Sequence, residues 1–384
     1  MQGNKTDNLW LLRYASKSCG LTKRVANLHD LSPQDEFATF CKGQKMRDYI
    51  VAIVGASGAV GEEIAKVLEE QNFPVKKLVP LASSRSVGKT MRFRGKDYTI
   101  QECTDEVFVR EGVEIAFFSA GGSVSERFAP SAVNANAIVI DNTSFFRMQD
   151  NVPLVVPEVN SDDIFTHKGI IANPNCSTIQ MVQVLAPLHK AFGIRRVDVA
   201  TYQAVSGAGK KGMDALLRET KEQLDGKNAE HKSSVFPYSI AFNLFPHIDI
   251  FLDNDYTKEE VKMIKETQKI MPSDFEVSAT CVRVPVLRSH SEAISIKFDS
   301  EVSAESARAV LEKAENVVVI DNVKNLKYPM PIIASNTDST FVGRIRSDCF
   351  DKKILHLFCV ADQIRVGAAT NAVRIAQKLM AEIK

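Results

Sequence analysis

Cys176 stands in the run Ala172-Asn173-Pro174-Asn175-Cys176-Ser177-Thr178-Ile179, where an extended stretch breaks at a proline and an amphipathic helix begins. A thiol attacks as thiolate, and the positive end of a helix is one place where its pKa falls. Backbone N–H groups at the same helix start are candidate donors to an oxyanion. Upstream, the run Ile50-Val51-Ala52-Ile53-Val54-Gly55-Ala56-Ser57-Gly58-Ala59-Val60-Gly61 reads as a buried strand entering a glycine-rich turn. Gly55, Gly58 and Gly61 would let a pyrophosphate approach bare backbone at a helix N-terminus, with Ser57, Ala59 and Val60 in the same turn. Their G-x-x-G-x-x-G spacing departs from the usual G-x-G-x-x-G, and a glycine triplet alone also fits an ordinary strand-to-helix turn. A nucleotide turn followed by a helix-capped cysteine points to redox chemistry through a thioester.

The end of the second strand bears on which dinucleotide is bound. An enzyme that uses NAD usually offers a carboxylate there to the ribose 2′-hydroxyl, whereas this chain offers Ser83-Ser84-Arg85-Ser86. Arg85 can pair with a 2′-phosphate while Ser83 and Ser86 donate hydroxyls to it, which favours NADP over an exposed loop arginine of no function.

A thiolate needs an acid–base partner. His290 interrupts two strand-like segments in Arg283-Val284-Pro285-Val286-Leu287-Arg288-Ser289-His290-Ser291-Glu292, so a turn would present its imidazole. Beside it stands the bland reading, a hydrogen-bonded core or surface histidine. Arg283 lies in the preceding strand, where a long charged side chain normally points to solvent; its functional alternative is a clamp on a substrate carboxylate. Gln203-Ala204-Val205-Ser206-Gly207-Ala208-Gly209 ends another strand in a turn, so Gln203 is placed to orient substrate and Ser206-Gly207 to pass the nicotinamide. Cys103, Cys281, Cys349 and Cys359 lie in or beside apolar runs and fit inert thiols.

The elements that hold these residues follow from period. From residue 49 apolar strands alternate with amphipathic helices: strands at 49–55, 76–82, 114–119 and 137–141, with a helix at 59–71. Further on come strands at 197–205, 277–287 and 292–298, and helices at 211–224, 257–270, 303–315 and 366–383. Ile294, Ile296 and Phe298 alternate with polar neighbours, as in a sheet with one face toward solvent or a partner subunit. The expected architecture is α/β: a Rossmann-type NADP-binding domain over 49–175 and an α+β catalytic and dimerisation domain over 176–361. A terminal helix over 362–384 returns to the first domain. Residues 1–48 lack a sustained period and read as an extension, either disordered, preceding the native start, or a transit peptide.

With 384 residues, 45% apolar, the chain can bury two cores, and a net charge of +1 gives no support to a nucleic-acid or membrane-surface role. Seven scattered cysteines without a C-x-x-C pair argue for reduced thiols inside a cell, and neither they nor the seven histidines show metal-ligand spacing.

Residues 49–384 resemble the aspartate-β-semialdehyde dehydrogenase family. The resemblance rests on Gly55-Ala56-Ser57-Gly58-Ala59-Val60-Gly61, Val155-Val156-Pro157-Glu158-Val159-Asn160, Asn173-Pro174-Asn175-Cys176-Ser177-Thr178, Arg283-Val284-Pro285 and His290-Ser291-Glu292, in that order. It implies NADPH-dependent reductive dephosphorylation of L-4-aspartyl phosphate in lysine, diaminopimelate, threonine, methionine and isoleucine biosynthesis. Cys176 would be the nucleophile, His290 the acid/base group, Gln203 the group that positions the acyl intermediate, and Arg283 the holder of the α-carboxylate. Arg147 and Lys262 would take phosphate, Glu259 the substrate amino group, and Gln363 the nicotinamide end of the cofactor. From their spacing alone, Glu259 and Lys262 look like an ordinary surface pair. The resemblance also implies a homodimer or homotetramer, and a cytoplasmic location unless residues 1–48 direct the chain to a plastid. The rivals are N-acetyl-γ-glutamyl-phosphate reductase, malonyl-CoA reductase, a catalytically silent NADP-binding scaffold and a cysteine hydrolase.

Overall fold

The structure is a computed structural model that describes residues 47–226 and 233–382. The expected extension over 1–48 lies almost wholly outside the described residues. In chain order, the first half runs β1 (Tyr49–Val54), α1 (Ala59–Glu70), β2 (Val75–Ala82), β3 (Thr90–Phe93), β4 (Lys96–Thr99) and β5 (Gln101–Glu102). It continues with α2 (Val107–Glu111), β6 (Ile115–Phe118), α3 (Gly122–Asn134), β7 (Ile138–Asp141), α4 (Pro157–Asn160), β8 (Ile170–Ala172) and α5 (Cys176–Phe192). Strands β5-β2-β1-β6-β7-β8 form a sheet in which every pairing is parallel, and β3–β4 is a separate hairpin.

Alternation in β1 sends its side chains into two layers. Val51 and Ile53 pack with Ile64 and Leu68 of α1, and Ala52 and Val54 with Phe118, Phe128 of α3 and Ile179 of α5. The strand order reverses between β1 and β6, so their carboxyl ends open the crevice where doubly wound sheets bind ligands.

The second half contains β9 (Ile194–Gln203), α6 (Gly209–Leu224), α7 (Lys258–Ile270), β10 (Glu276–Arg283), β11 (His290–Phe298), α8 (Ala304–Leu311) and β12 (Val317–Val319). After these come α9 (Pro331–Ala334), β13 (Thr340–Ser347), β14 (Ile354–Ala361), a π-turn at Arg365–Ala369 and α10 (Thr370–Glu382). Its mixed sheet has the order β10-β9-β11-β14-β13-β12. Val197, Val199, Ile294, Ile296, Leu355 and Leu357 face a core shared with Leu185 and Leu188 of α5 and Met263 of α7. The opposite face shows Asp198, Ala200, Ser278, Thr280, Ser295 and His356 along an open groove. Ala372, Val373, Ala376 and Leu379 of α10 join the core of the first sheet.

Seven strands, β3, β4, β5, β8, β12, β13 and β14, stand where sequence period indicated nothing, and the expected helix over 303–315 is shorter. The expected helix over 366–383 begins instead with the π-turn.

Candidate active site

Asn175 sets the start of α5. Its Oδ1 accepts from the Ser177 and Thr178 amides at 3.0 and 3.2 Å, so the helix begins at Cys176 with its cap satisfied. This corrects the expectation that those amides serve as free oxyanion donors. The thiol departs from expectation too. Burial, then the charge of Glu259, pushes it up to about 12, against smaller opposing effects of Arg147, the Ser177 amide and Arg283. A helix end contributes too little to offset desolvation beside a carboxylate.

His290 opens β11 after Ser289, whose φ of 75° puts a buried non-glycine residue in the left-handed region. The imidazole is wholly buried. Its Nδ1 accepts from the Ala204 amide at 3.0 Å, and Nε2 is buried with no protein partner. A neutral ring that accepts at Nδ1 carries its proton on Nε2, so His290 presents a donor to the site. Burial, reinforced by the charge of Arg283, holds its pKa well below the usual histidine range.

Arg283 does not point to solvent. It is buried, and its Nη1 donates to Ala204 O at 2.6 Å. A Cβ built on Gly207 would stand 3.0 Å from Arg283 Nη1 and 3.4 Å from His290 Nε2, which places the 206–207 turn against both. Gln203 ends β9, where Thr201 Oγ1 donates to its Oε1 at 2.9 Å and its Nε2 donates to Glu259 Oε1 at 3.1 Å.

Helix α7 closes the other side. Its capping box, between Thr257 and Glu260, fixes the first turn and therefore the place of Glu259. Glu259 is buried: it accepts from Asn175 Nδ2 at 2.8 Å and from Lys262 Nζ at 3.1 Å, and Lys262 Nζ also donates to Asp249 at 2.7 Å. The surface-pair reading of these two residues is thereby overturned. Burial works to raise the pKa of Glu259, but Lys262, Asn175 and Gln203 outweigh it and the net shift is downward. Arg147 reaches the same region from the loop after β7. Its Nη1 donates to Glu266 Oε1 at 3.0 Å, and Glu266 Oε2 accepts the Asn175 amide at 2.6 Å.

The glycine turn lies at the carboxyl end of β1. A Cβ on Gly61 would collide with the Gly55 carbonyl oxygen, and no side chain caps α1, so bare backbone heads that helix. The turn therefore fits a phosphate-bearing cofactor. Ser57 Oγ lies 3.1 Å from Ser86 Oγ, which joins the turn to the segment Ser83, Arg85 and Ser86 after β2. Gln363 links the two ends of the site, accepting from the Ser289 amide at 2.8 Å and donating to Ser206 Oγ. Among the described residues no group of three or more His, Cys, Asp or Glu is placed to hold a metal ion, and no helix is long and apolar enough to cross a membrane.

Two family models match: "Semialdehyde dehydrogenase, NAD binding domain" over residues 50–167 and "Semialdehyde dehydrogenase, dimerisation domain" over residues 185–366. An aspartate-semialdehyde dehydrogenase of Campylobacter jejuni is 62% identical, the match covering 85% of this chain and 96% of that protein. One from Helicobacter pylori is 59% identical over 86% and 98% of the two chains. The chain belongs to the aspartate-semialdehyde dehydrogenase family. A crystal structure of the Vibrio cholerae enzyme II, complexed with ASA, superposes with a TM-score of 0.84 at 46% identity, covering 88% of this chain and 100% of that one. The Candida albicans enzyme with NADP gives a TM-score of 0.68 at 26% identity over 87% and 99%.

Within this family fold, three site features went unassigned from sequence. Asn175 was in plain view as an N-cap residue type before a helix. Glu266 carried a weaker signal, its spacing of seven from Glu259 on one helical face. Gly367 carried none: a Cβ there would stand 2.6 Å from the Cys176 Cβ, so only glycine lets the π-turn pass Cys176.

Proposed function

We propose that this chain converts L-4-aspartyl phosphate to L-aspartate 4-semialdehyde and phosphate with NADPH, through a thioester on Cys176. The observation that carries this reading is that two buried arginines, Arg147 and Arg283, act on Cys176 at its helix start, while the donor imidazole of His290 shares the 206–207 turn with Arg283. Arg147 would take the phosphoryl group and Arg283 the α-carboxylate, with Lys262 beside the phosphate and Glu259 facing the amino group. Cys176 Sγ forms a bond to the acyl carbon as the carbon–oxygen bond to phosphate breaks, and the thiol proton leaves with the phosphate. His290 Nε2–H donates to the acyl oxygen, and Gln203 holds the acyl group in line. NADPH, when bound, supplies hydride; Gly55, Ser57, Gly58, Ala59, Val60 and Gly61 would hold its pyrophosphate, Ser83, Arg85 and Ser86 its 2′-phosphate, and Ser206, Gly207 and Gln363 its nicotinamide end. After reduction the C–S bond breaks, the aldehyde leaves and the sulfur regains a proton, which His290 relays.

The open face of the second sheet supports a homodimer, and a cytoplasmic location goes with the reading. The test is phosphate-dependent NADP reduction with aspartate semialdehyde, set against N-acetylglutamate semialdehyde and malonate semialdehyde. Turnover with the first alone is expected; preference for either of the others would overturn the substrate assignment. Cys176→Ala is expected to abolish turnover while NADPH binding, followed by fluorescence titration, survives. Activity in that variant would exclude the thioester.

A further inference from the structure

Four charged residues of alternating sign recur on α7 at intervals of three or four: Glu259, Lys262, Glu266 and Lys269. The proposed reaction uses the first pair. The second pair grips the segment that carries Arg147. Lys269 Nζ donates to the carbonyl oxygens of Arg147 at 2.8 Å, Gln149 at 2.8 Å and Val152 at 2.9 Å. Three bonds use every donor the ammonium has, so it sits inside the 147–152 turn as a fixed cation. One turn earlier on the helix, Glu266 bridges Arg147 Nη1 and the Asn175 amide. Arg147 Nη2 donates to Asn142 O at 2.8 Å, while Nε is buried with no protein partner. The guanidinium is thus held by its Nη atoms and by its own carbonyl, with Nε left to meet an anion.

We propose that Lys269 is a positioning residue for the phosphate subsite, acting through Arg147 by fixing the turn that aims the guanidinium. This rests on Arg147 as the phosphate contact. No neutral side chain can serve three convergent carbonyls, and the planar fork of arginine cannot aim three donors from one nitrogen. A lysine that merely stabilised the fold would alter both substrates alike. One that aims Arg147 would single out phosphate, because a misplacement of this order costs affinity for the group being aimed at.

The experiment is steady-state kinetics of the phosphate-dependent reaction on the full chain, with Lys269→Met, Arg147→Met and the double variant. Lys269→Met is expected to raise the KM for phosphate about tenfold, leaving kcat and the KM for the semialdehyde within about twofold. On the Arg147→Met background it is expected to change the phosphate KM by less than about twofold, since its effect passes through the missing group. An equal rise in both KM values, an unchanged phosphate KM, or additive losses in the double variant would overturn the proposal. If Arg147→Met leaves the phosphate KM unchanged, the reading of Arg147 fails, and with it the premise. If Arg147→Met raises it and Lys269→Met does not, the positioning role alone fails. Lys269→Gln, which keeps a donor, is read the same way should the methionine variant not fold.

Discussion

At Cys176 two influences oppose each other, and their sizes decide the state of the thiol. The helix end and the arginines favour thiolate, but a helix terminus is worth about 1–2 kcal/mol at best, whereas burial shifts a group by several pK units. With Glu259 adding its charge, the thiol is pushed up to about 12 and stays protonated at neutral pH. Its alkylation by iodoacetamide should therefore climb about tenfold per pH unit from pH 7 to 10. Glu259→Gln removes a charge that raises the thiol pKa, so at pH 8 it should speed alkylation while slowing turnover, because the bonds to Asn175 and Gln203 are weakened. Alkylation rates followed by mass spectrometry check this; slower labelling in the variant would show that the charge of Glu259 does not set the thiol. The type and place of Cys176 were legible in the sequence because the Asn-Pro-Asn turn and the following apolar period are local. Its ionisation was not, since Glu259 arrives from a distant helix.

On the scale of elements, what was legible divides by period. β1 announces itself as an apolar run entering a glycine turn, and α1 and α7 by a 3.6-residue stripe; together they hold the glycine turn and Glu259. β14, read as Ile-Leu-His-Leu-Phe-Cys-Val-Ala, is nearly all apolar and carries little alternation, so its place in the sheet comes from pairing with β11 and β13. The π-turn is also silent in sequence, because what demands it is contact with Cys176. Gly367→Ala should press a methyl against the Cβ and Cα of Cys176, costing about 1–3 kcal/mol of stability and cutting the kcat of the folded fraction by about a hundredfold or more, checked by kinetics beside thermal melting. Glu292, the third residue of β11 and two after His290, is wholly buried, with the Gln180 side chain as the polar neighbour of its carboxyl. Burial raises its pKa well above the usual carboxylate range, so the folded chain keeps it neutral while the unfolded chain ionises it above about pH 4.5. Stability is therefore lost as pH rises from that point toward the folded pKa. Glu292→Gln should melt higher than the parent at pH 8, with the gap closing toward pH 4.5; a gap that widens in acid would mean the carboxyl is ionised in the fold.

For the molecule as a whole, the residues proposed for catalysis come from both sheets, and their mutual placement depends on a partly buried ionic network. Arg365, in the π-turn, pairs with Glu63 of α1 at 3.0 Å, with Asp338 at 2.9 Å and with Glu70. Arg288, two residues before His290, pairs with the same Glu63 at 3.2 Å and with Asp362 at 2.6 Å. One carboxylate on the helix that opens with the glycine turn thus meets arginines flanking Gln363 and His290. Such a network adds little net stability over an apolar packing, and after loss of Arg365 the buried Glu63 keeps Arg288 while Glu70 reaches solvent. Arg365→Met should therefore lower unfolding free energy by about 1–3 kcal/mol, read from urea midpoints. The discriminating readout is kinetic. Because α1 carries the cofactor turn, loosening it from the π-turn should raise the KM for NADPH several-fold more than the KM for aspartyl phosphate. Equal changes in the two would mean that the network holds the fold without setting the distance between cofactor and thiol. A selective change would show that the spacing of the two half-sites is written into this cluster, whose members come from helix, loop and π-turn and share no local pattern by which sequence alone could have grouped them.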